Sequence, residues 1–180
     1  MKVGLIVGSL RKESWNKKIA EVVKDLFPKD IEVDFIDIYK LPLYNEDLDG
    51  DQPIEEYTNL RKAIKDHDAF IFFTPEYNRS YSPAIKNVID VGSKDPNGNP
   101  WAKKPVAVFS ASTGGFGSMA GNHALRQSFV FTDLIPLQQP EVYLARVDTL
   151  FEGGSLTEST RGFLAKAVQA FVSHAESLIK

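Results

Sequence analysis

The chain has 180 residues, 43% of them hydrophobic and 25% charged, with a formal net charge of −3. That balance fits one globular domain with a full core and excludes a disordered or fibrous chain, a basic nucleic-acid binder and, since no apolar run approaches ~18–20 residues, a membrane span. The absence of cysteine removes disulfides, thiolate metal sites and thiol nucleophiles together.

The first expected strand is KVGLIVG (2–8). The opening MKVGLIVGSLRK turns charged too early for a secretory leader, so it is read as the first core strand of a cytoplasmic protein. A donor-rich loop follows, GSLRKESWNKK (8–18), and then a helix through Trp15, Ile19, Val22, Val23, Leu26 and Phe27, closed by Pro28. IEVDFIDI (31–38) alternates apolar and acidic residues, the pattern of an edge strand. Residues 53–66 predict a second helix with Pro53 in its first turn.

AFIFFT (69–74) is continuously apolar, as in a parallel strand buried on both faces. The loop TPEYNRSYSP (74–83) leads into a third helix from Pro83 to Gly92, and GSKDPNGNPWAKKP (92–105) reads as a lid or a plain connection. PVAVFSA (105–111) is the fourth strand; SASTGGFGSMAG (110–121) opens a helix over 118–133, before Pro136. EVYLA (141–145) and a helix over 158–179 complete the chain. Strand and helix alternate five times, which predicts a single doubly wound α/β domain over 1–180 with ligands at the carboxyl ends of the strands.

In such a sheet the loops after strands 1, 3 and 4 open at one edge. The first offers the hydroxyls of Ser9 and Ser14, the Arg11 guanidinium and the Asn16 amide beside a helix N-terminus, donors suited to phosphate; Ser14 as a plain N-cap is the alternative. G-x-x-x-x-G-K-[ST] is absent, which argues against a triphosphate with magnesium. In the second, Tyr77 and Asn78 suit a planar heterocycle, by stacking and by rim hydrogen bonds, or else form an ordered turn. In the third, Gly114, Gly115 and Gly117 let backbone approach a ligand, or merely turn the chain. Its formal G-x-G-x-x-A match, Gly115 to Ala120, follows the fourth strand, and no acidic residue closes the next strand. His67, His123 and His174 have no metal-ligand spacing; His123, near the third loop, is an exposed or satisfied helix histidine before it is a proton donor. No metal site and no catalytic side chain are expected, so a bound organic cofactor carries the chemistry.

G-S-L-R-x-x-S-x-N (8–16), P-E-Y-N (75–78), P-A-I-K-N-x-I-D (83–90) and the Gly114-Gly115 loop, in that order, resemble the NADPH-dependent FMN reductase family of quinone, azo-dye and chromate reductases. The resemblance implies a flavodoxin-like three-layer sandwich, with a five-stranded parallel sheet of order 2-1-3-4-5 and helices on both faces. It also implies non-covalent FMN, NAD(P)H as donor, and a quinone, azo dye, chromate or free flavin as acceptor. Ser9, Arg11, Ser14 and Asn16 would hold the phosphate. Pro75, Glu76 (mainly through its backbone), Tyr77 and Asn78 would line the ring and ribityl chain, and Ser110, Thr113, Gly114 and Gly115 would close the other side. Lys86, Asn87 and Asp90 fall where the family makes structural and subunit contacts, in homodimers or homotetramers. Pro83-Ala84 and Val91 stand where many members have Gly and Trp. A flavodoxin-like electron carrier without NAD(P)H oxidase activity is the alternative, although such carriers are usually more acidic than −3; a flavin-free nucleotide-binding regulator is a third reading.

Overall fold

The computed structural model describes residues 1–179. Strands β1 (Lys2–Val7), β2 (Glu32–Phe35), β3 (Ala69–Thr74) and β4 (Pro105–Ala111) pair in parallel, and with β5 (Ile135–Pro136) give the order 2-1-3-4-5. Strand alternation sends each strand's side chains to two separate apolar layers. Val3, Leu5, Ile71, Phe73 and Phe109 pack under α1 (Trp15–Lys24) and α5 (Glu158–Leu178). Ile6, Phe70, Phe72, Val106 and Val108 pack under α2 (Glu55–Asp66), α3 (Pro83–Ser93) and α4 (Met119–Thr132). All of β3 and β4 is buried, which is why their sequences are apolar throughout, whereas β2 sits at the edge with Glu32 exposed.

Three expectations shift. The fifth strand position is filled in two pieces: β5 pairs with the start of β4 and β6 (Val142–Leu144) with its end. Pro136 and Pro140 have no N–H to give a ladder, so one continuous strand cannot run through 135–144. Helix α2 starts at Glu55 behind an Ile54 cap, which leaves Pro53 outside its first turn. A hairpin absent from the sequence reading joins β7 (Phe151–Glu152) to β8 (Ser155–Leu156). Gly153 and Gly154 both have positive φ (+57° and +85°), as a two-residue primed turn requires.

The 92–105 connection is an anchored plug at the amino end of the sheet, far from the carboxyl edge, and not a lid. Trp101 is fully buried, with its ring 5.0 Å from that of Phe70. Asn99 holds it in place, accepting the Trp101 amide (3.1 Å) and donating to the Thr132 carbonyl (2.8 Å).

Candidate functional site

The end of β1 and the start of α1 form the first wall. Ser14 caps α1: its Oγ accepts the Lys17 amide at 3.1 Å. The cap and the anion reading coexist, because the same hydroxyl still has its proton to donate. Asn16 is buried and donates through Nδ2 to the Ala111 carbonyl at 3.1 Å, which ties α1 to the end of β4; its Oδ1 is buried with no partner. Among the described residues Arg11 and Lys12 join no ion pair, since Glu13, the loop's carboxylate, turns to Lys18 at 3.2 Å.

The second wall is a tight turn. Tyr77 and Ser80 exchange both backbone hydrogen bonds at 2.9 Å, and Asn78 and Arg79 between them have φ of 50° and 64°. Asn tolerates that region; Arg79 is held there by the bridge and by contacts to Glu76 (3.3 Å) and to the Phe116 ring (5.7 Å). One Glu76 carboxylate oxygen accepts the Gly121 amide at 3.2 Å, capping the first turn of α4. Its other oxygen takes the Arg79 guanidinium, so both carboxylate oxygens already have a partner within the fold.

The third wall is laced to the chain after β6. Arg146 donates its amide to Gly114 (3.0 Å), Ser112 donates to Leu144 and Val147 donates to Ser112 (3.1 Å each). Gly117 has φ +58°, and a Cβ there would lie 2.6 Å from the Tyr143 carbonyl carbon. At Gly115 a Cβ would meet nothing within 4 Å, so the chain's own packing does not explain that glycine. Ser110 is buried beneath the loop, with its Oγ 2.8 Å from the Gly117 carbonyl and 3.3 Å from Asn122 Nδ2. It braces the loop and does not line the cavity.

Between the walls lies a cavity of about 190 Å³ lined by Ser9, Arg11, Asn16, Pro75, Glu76, Tyr77 and Thr113, with Trp15, Ala111 and Ser112. All three loops therefore meet, as the doubly wound topology requires. Ser14, Asn78, Gly114 and Gly115 sit in the same loops outside that lining. Trp15, read from sequence as a core residue, is half-buried against Phe151 (5.3 Å between rings), and the unforeseen hairpin thus supports this wall. Arg11 also borders an apolar groove of about 410 Å³ under Leu10, Leu41, Leu43 and Ala84. Asn87 fixes that groove's far wall, accepting the Tyr44 amide (2.7 Å) and donating to the Pro42 carbonyl (2.8 Å). This structural role of Asn87 was visible in the sequence only through the resemblance. Lys86 pairs on the surface with Asp90 at 2.5 Å.

A hollow of about 500 Å³ between β2 and α2 contains none of the expected site residues. His123 is exposed and its Nε2 lies 3.1 Å from the Tyr143 hydroxyl. Burial, and then the Glu141 carboxylate, push the Tyr143 phenol up to about 12. Among the described residues no cluster of three His, Asp or Glu side chains suits a metal.

The residues present fit FMN. The Ser9 hydroxyl, the Arg11 guanidinium and the α1 amino end capped by Ser14 suit its phosphate, an unpartnered buried amide oxygen suits a ribityl hydroxyl, and open space at Gly115 suits a flat ring.

Comparison with known proteins points the same way. Residues 1–149 match the family model described as NADPH-dependent FMN reductase. A quinone reductase of Pseudomonas putida is 45% identical over 179 residues, covering 99% of this chain and 94% of that protein. A 2-hydroxy-1,4-benzoquinone reductase of a Burkholderia species is 36% identical, covering 91% of this chain and 90% of its own. The solved flavoenzyme NAD(P)H:(acceptor) oxidoreductase of Paracoccus denitrificans superposes with a TM-score of 0.90 at 36% identity, over 98% of each chain.

Proposed function

The chain belongs to the NADPH-dependent FMN reductase family, and from that premise we propose that it passes electrons from NAD(P)H through bound FMN to quinones. As a member it is an FMN-dependent NAD(P)H oxidoreductase; the acceptor is the proposed part, and relatives named for quinone reduction support it. The observation that carries the reading is the convergence of three loops on one cavity whose donors and orphaned acceptor match a phosphorylated polyol.

When bound, FMN supplies hydride acceptance and onward electron transfer, chemistry that no side chain here can perform. The protein's part is positioning. Ser9 and Arg11, with Ser14 at the helix cap, grip the phosphate end, Arg11 neutralising charge, while Asn16 offers its free amide oxygen to the ribityl chain and fixes the depth of the site through its bond to β4. Pro75, the Glu76 backbone, Tyr77 and Asn78 border one side of the ring; Thr113, Gly114 and Gly115 border the other, with Ser110 and Gly117 supporting them from below. Residues 1–180 act as one domain in this scheme. We also infer a cytoplasmic homo-oligomer, dimer or tetramer: among the described residues no helix is long and apolar enough to cross a membrane, and Val130 and Phe131 on α4 stand 84% and 89% exposed.

The test uses purified protein. It should be yellow, bleach anaerobically with NADPH within the mixing time, and regain colour on adding benzoquinone. Yellow protein inert to NAD(P)H would mean a carrier, and colourless protein that rejects FMN would sink both readings. Arg11→Ala should weaken FMN binding by roughly 1.5–3 kcal/mol, the loss of one or two charge-assisted hydrogen bonds, and riboflavin binding far less. Titration of the apoprotein with each flavin reads this directly; equal losses would remove Arg11 from the phosphate grip.

A further inference from the structure

On the side of Ser9 and Arg11 away from the flavin cavity lies a second hollow of about 330 Å³, between the first loop and the end of β2. Arg11, Lys12, Lys17, Phe35, Asp37 and Tyr39 shape it. Among the described residues none of the three cations lies within ion-pair distance of a carboxylate. Lys17 instead rests on the Phe35 ring, its Nζ 3.3 Å from the centroid. The single carboxylate in the lining, Asp37, has Oδ1 occupied by the Tyr39 amide at 2.9 Å. With Arg11 given to the flavin phosphate, Lys12 and Lys17 remain at the hollow against one half-used carboxylate, and Tyr39 is exposed at its rim. Uncompensated cations converging on a concave surface concentrate an anionic ligand.

The position restricts which anion. In dinucleotide-binding Rossmann sheets an acidic side chain past the second strand meets the ribose 2′-hydroxyl of NAD, whereas a cation at that place accommodates the 2′-phosphate of NADP, and the end of β2 is the corresponding place here. This hollow has both, joined to the flavin cavity through the shared Arg11 and Ser9.

We propose that this hollow takes the adenosine end of the pyridine nucleotide, with Lys12 and Lys17 recognising the 2′-phosphate of NADPH, Asp37 meeting the adenosine ribose and Tyr39 flanking the adenine. The proposal rests on the oxidoreductase reading above and adds to it the residues that choose NADPH over NADH.

The probes are 2′,5′-ADP and 5′-AMP, titrated calorimetrically into FMN-loaded protein. The diphosphate should bind at least ~10-fold more tightly, the size of one charge-assisted hydrogen bond. The double variant Lys12→Ala with Lys17→Met should abolish that difference. In turnover it should raise the KM for NADPH by ~10-fold or more relative to that for NADH. Lys12→Glu alone, an exposed position with no packing role, should give the same direction. Indifference of both probes to the 2′-phosphate would overturn the proposal. So would variants that loosen FMN but not riboflavin, since the lysines would then belong to the flavin phosphate. Probe binding does not need turnover, so protein that discriminates the probes yet never oxidises NADPH would sink the oxidoreductase reading and leave this site standing.

Discussion

Gly117→Ala should cost roughly 2–5 kcal/mol of folding stability. About 1–2 kcal/mol comes from placing an L side chain in the left-handed region, and the remainder from overpacking. Gly117 has φ +58°, and its Cβ would sit 2.6–2.8 Å from backbone atoms of Tyr143, Leu144 and Ala145. Backbone in β6 cannot swing aside as a side-chain tip can, because β6 is paired to β4 in register at Phe109, Ser110 and Ala111. The loop must move instead, taking with it the Gly117 carbonyl that accepts the Ser110 hydroxyl and the third wall of the cavity. Urea unfolding reads the stability loss, and FMN titration should show weakened binding in the same variant. Gly115→Ala is the contrast: a Cβ there meets nothing within 4 Å, so stability should stay within about 0.5 kcal/mol of the parent while flavin affinity falls. A Gly115→Ala variant that unfolds as readily as Gly117→Ala would show that both glycines serve the fold alone.

The two glycines also mark how far the sequence was readable. G-G-F-G gave three equivalent turn formers; only the approach of residues 143–145, from a strand distant in sequence, separates the structural one from the two where a Cβ would not be crowded. The same holds elsewhere. β1, β3 and β4 were plain because strands buried on two faces must be apolar throughout, and their order then placed three loops at one edge. Ser110 belongs to β4, between Phe109 and Ala111, and strand alternation already turned it inward beneath the loop. Polar pairings between distant segments, such as Asn87 with residues 42–44, Glu76 with Gly121 and Asn16 with Ala111, have no periodic signature. They are specified one pair at a time, and only coordinates expose them. The 92–105 connection reads from sequence as either a lid or a plain connection because its Asp, Asn, Gly and Pro residues have no periodic signature; one tryptophan among them decides it by filling the layer beside Phe70 and Phe72.

Asp49→Ala should be still more damaging, by about 3–5 kcal/mol at neutral pH, because it leaves the Arg61 guanidinium buried without its counter-charge. The pair is bidentate, both contacts are 2.6 Å, and the side chains are only 5% and 4% exposed. Arg61 also donates to the carbonyls of Val91 (3.0 Å) and Lys94 (3.2 Å), so one guanidinium joins α2, the end of α3 and the 39–52 connection. That connection carries Leu41 and Leu43 beside the flavin cavity, and loosening it should also disturb the groove that Asn87 holds from the other end. The guanidinium beside Asp49 holds its carboxyl below the ordinary carboxylate range, against the opposing pull of burial. A depressed folded value means that the unfolded chain binds the proton first, so stability rises with pH across that interval. The pair's contribution is complete above the unfolded value of about 3.9 and is lost as pH falls through the lower folded one. The parent and the Asp49→Ala variant should therefore differ most at pH 7 and converge on acidification below about pH 4. Urea midpoints compared at the two pH values check the sign. A gap that stays constant or widens in acid would place the stabilisation in packing of the aspartate side chain, with its charge contributing nothing.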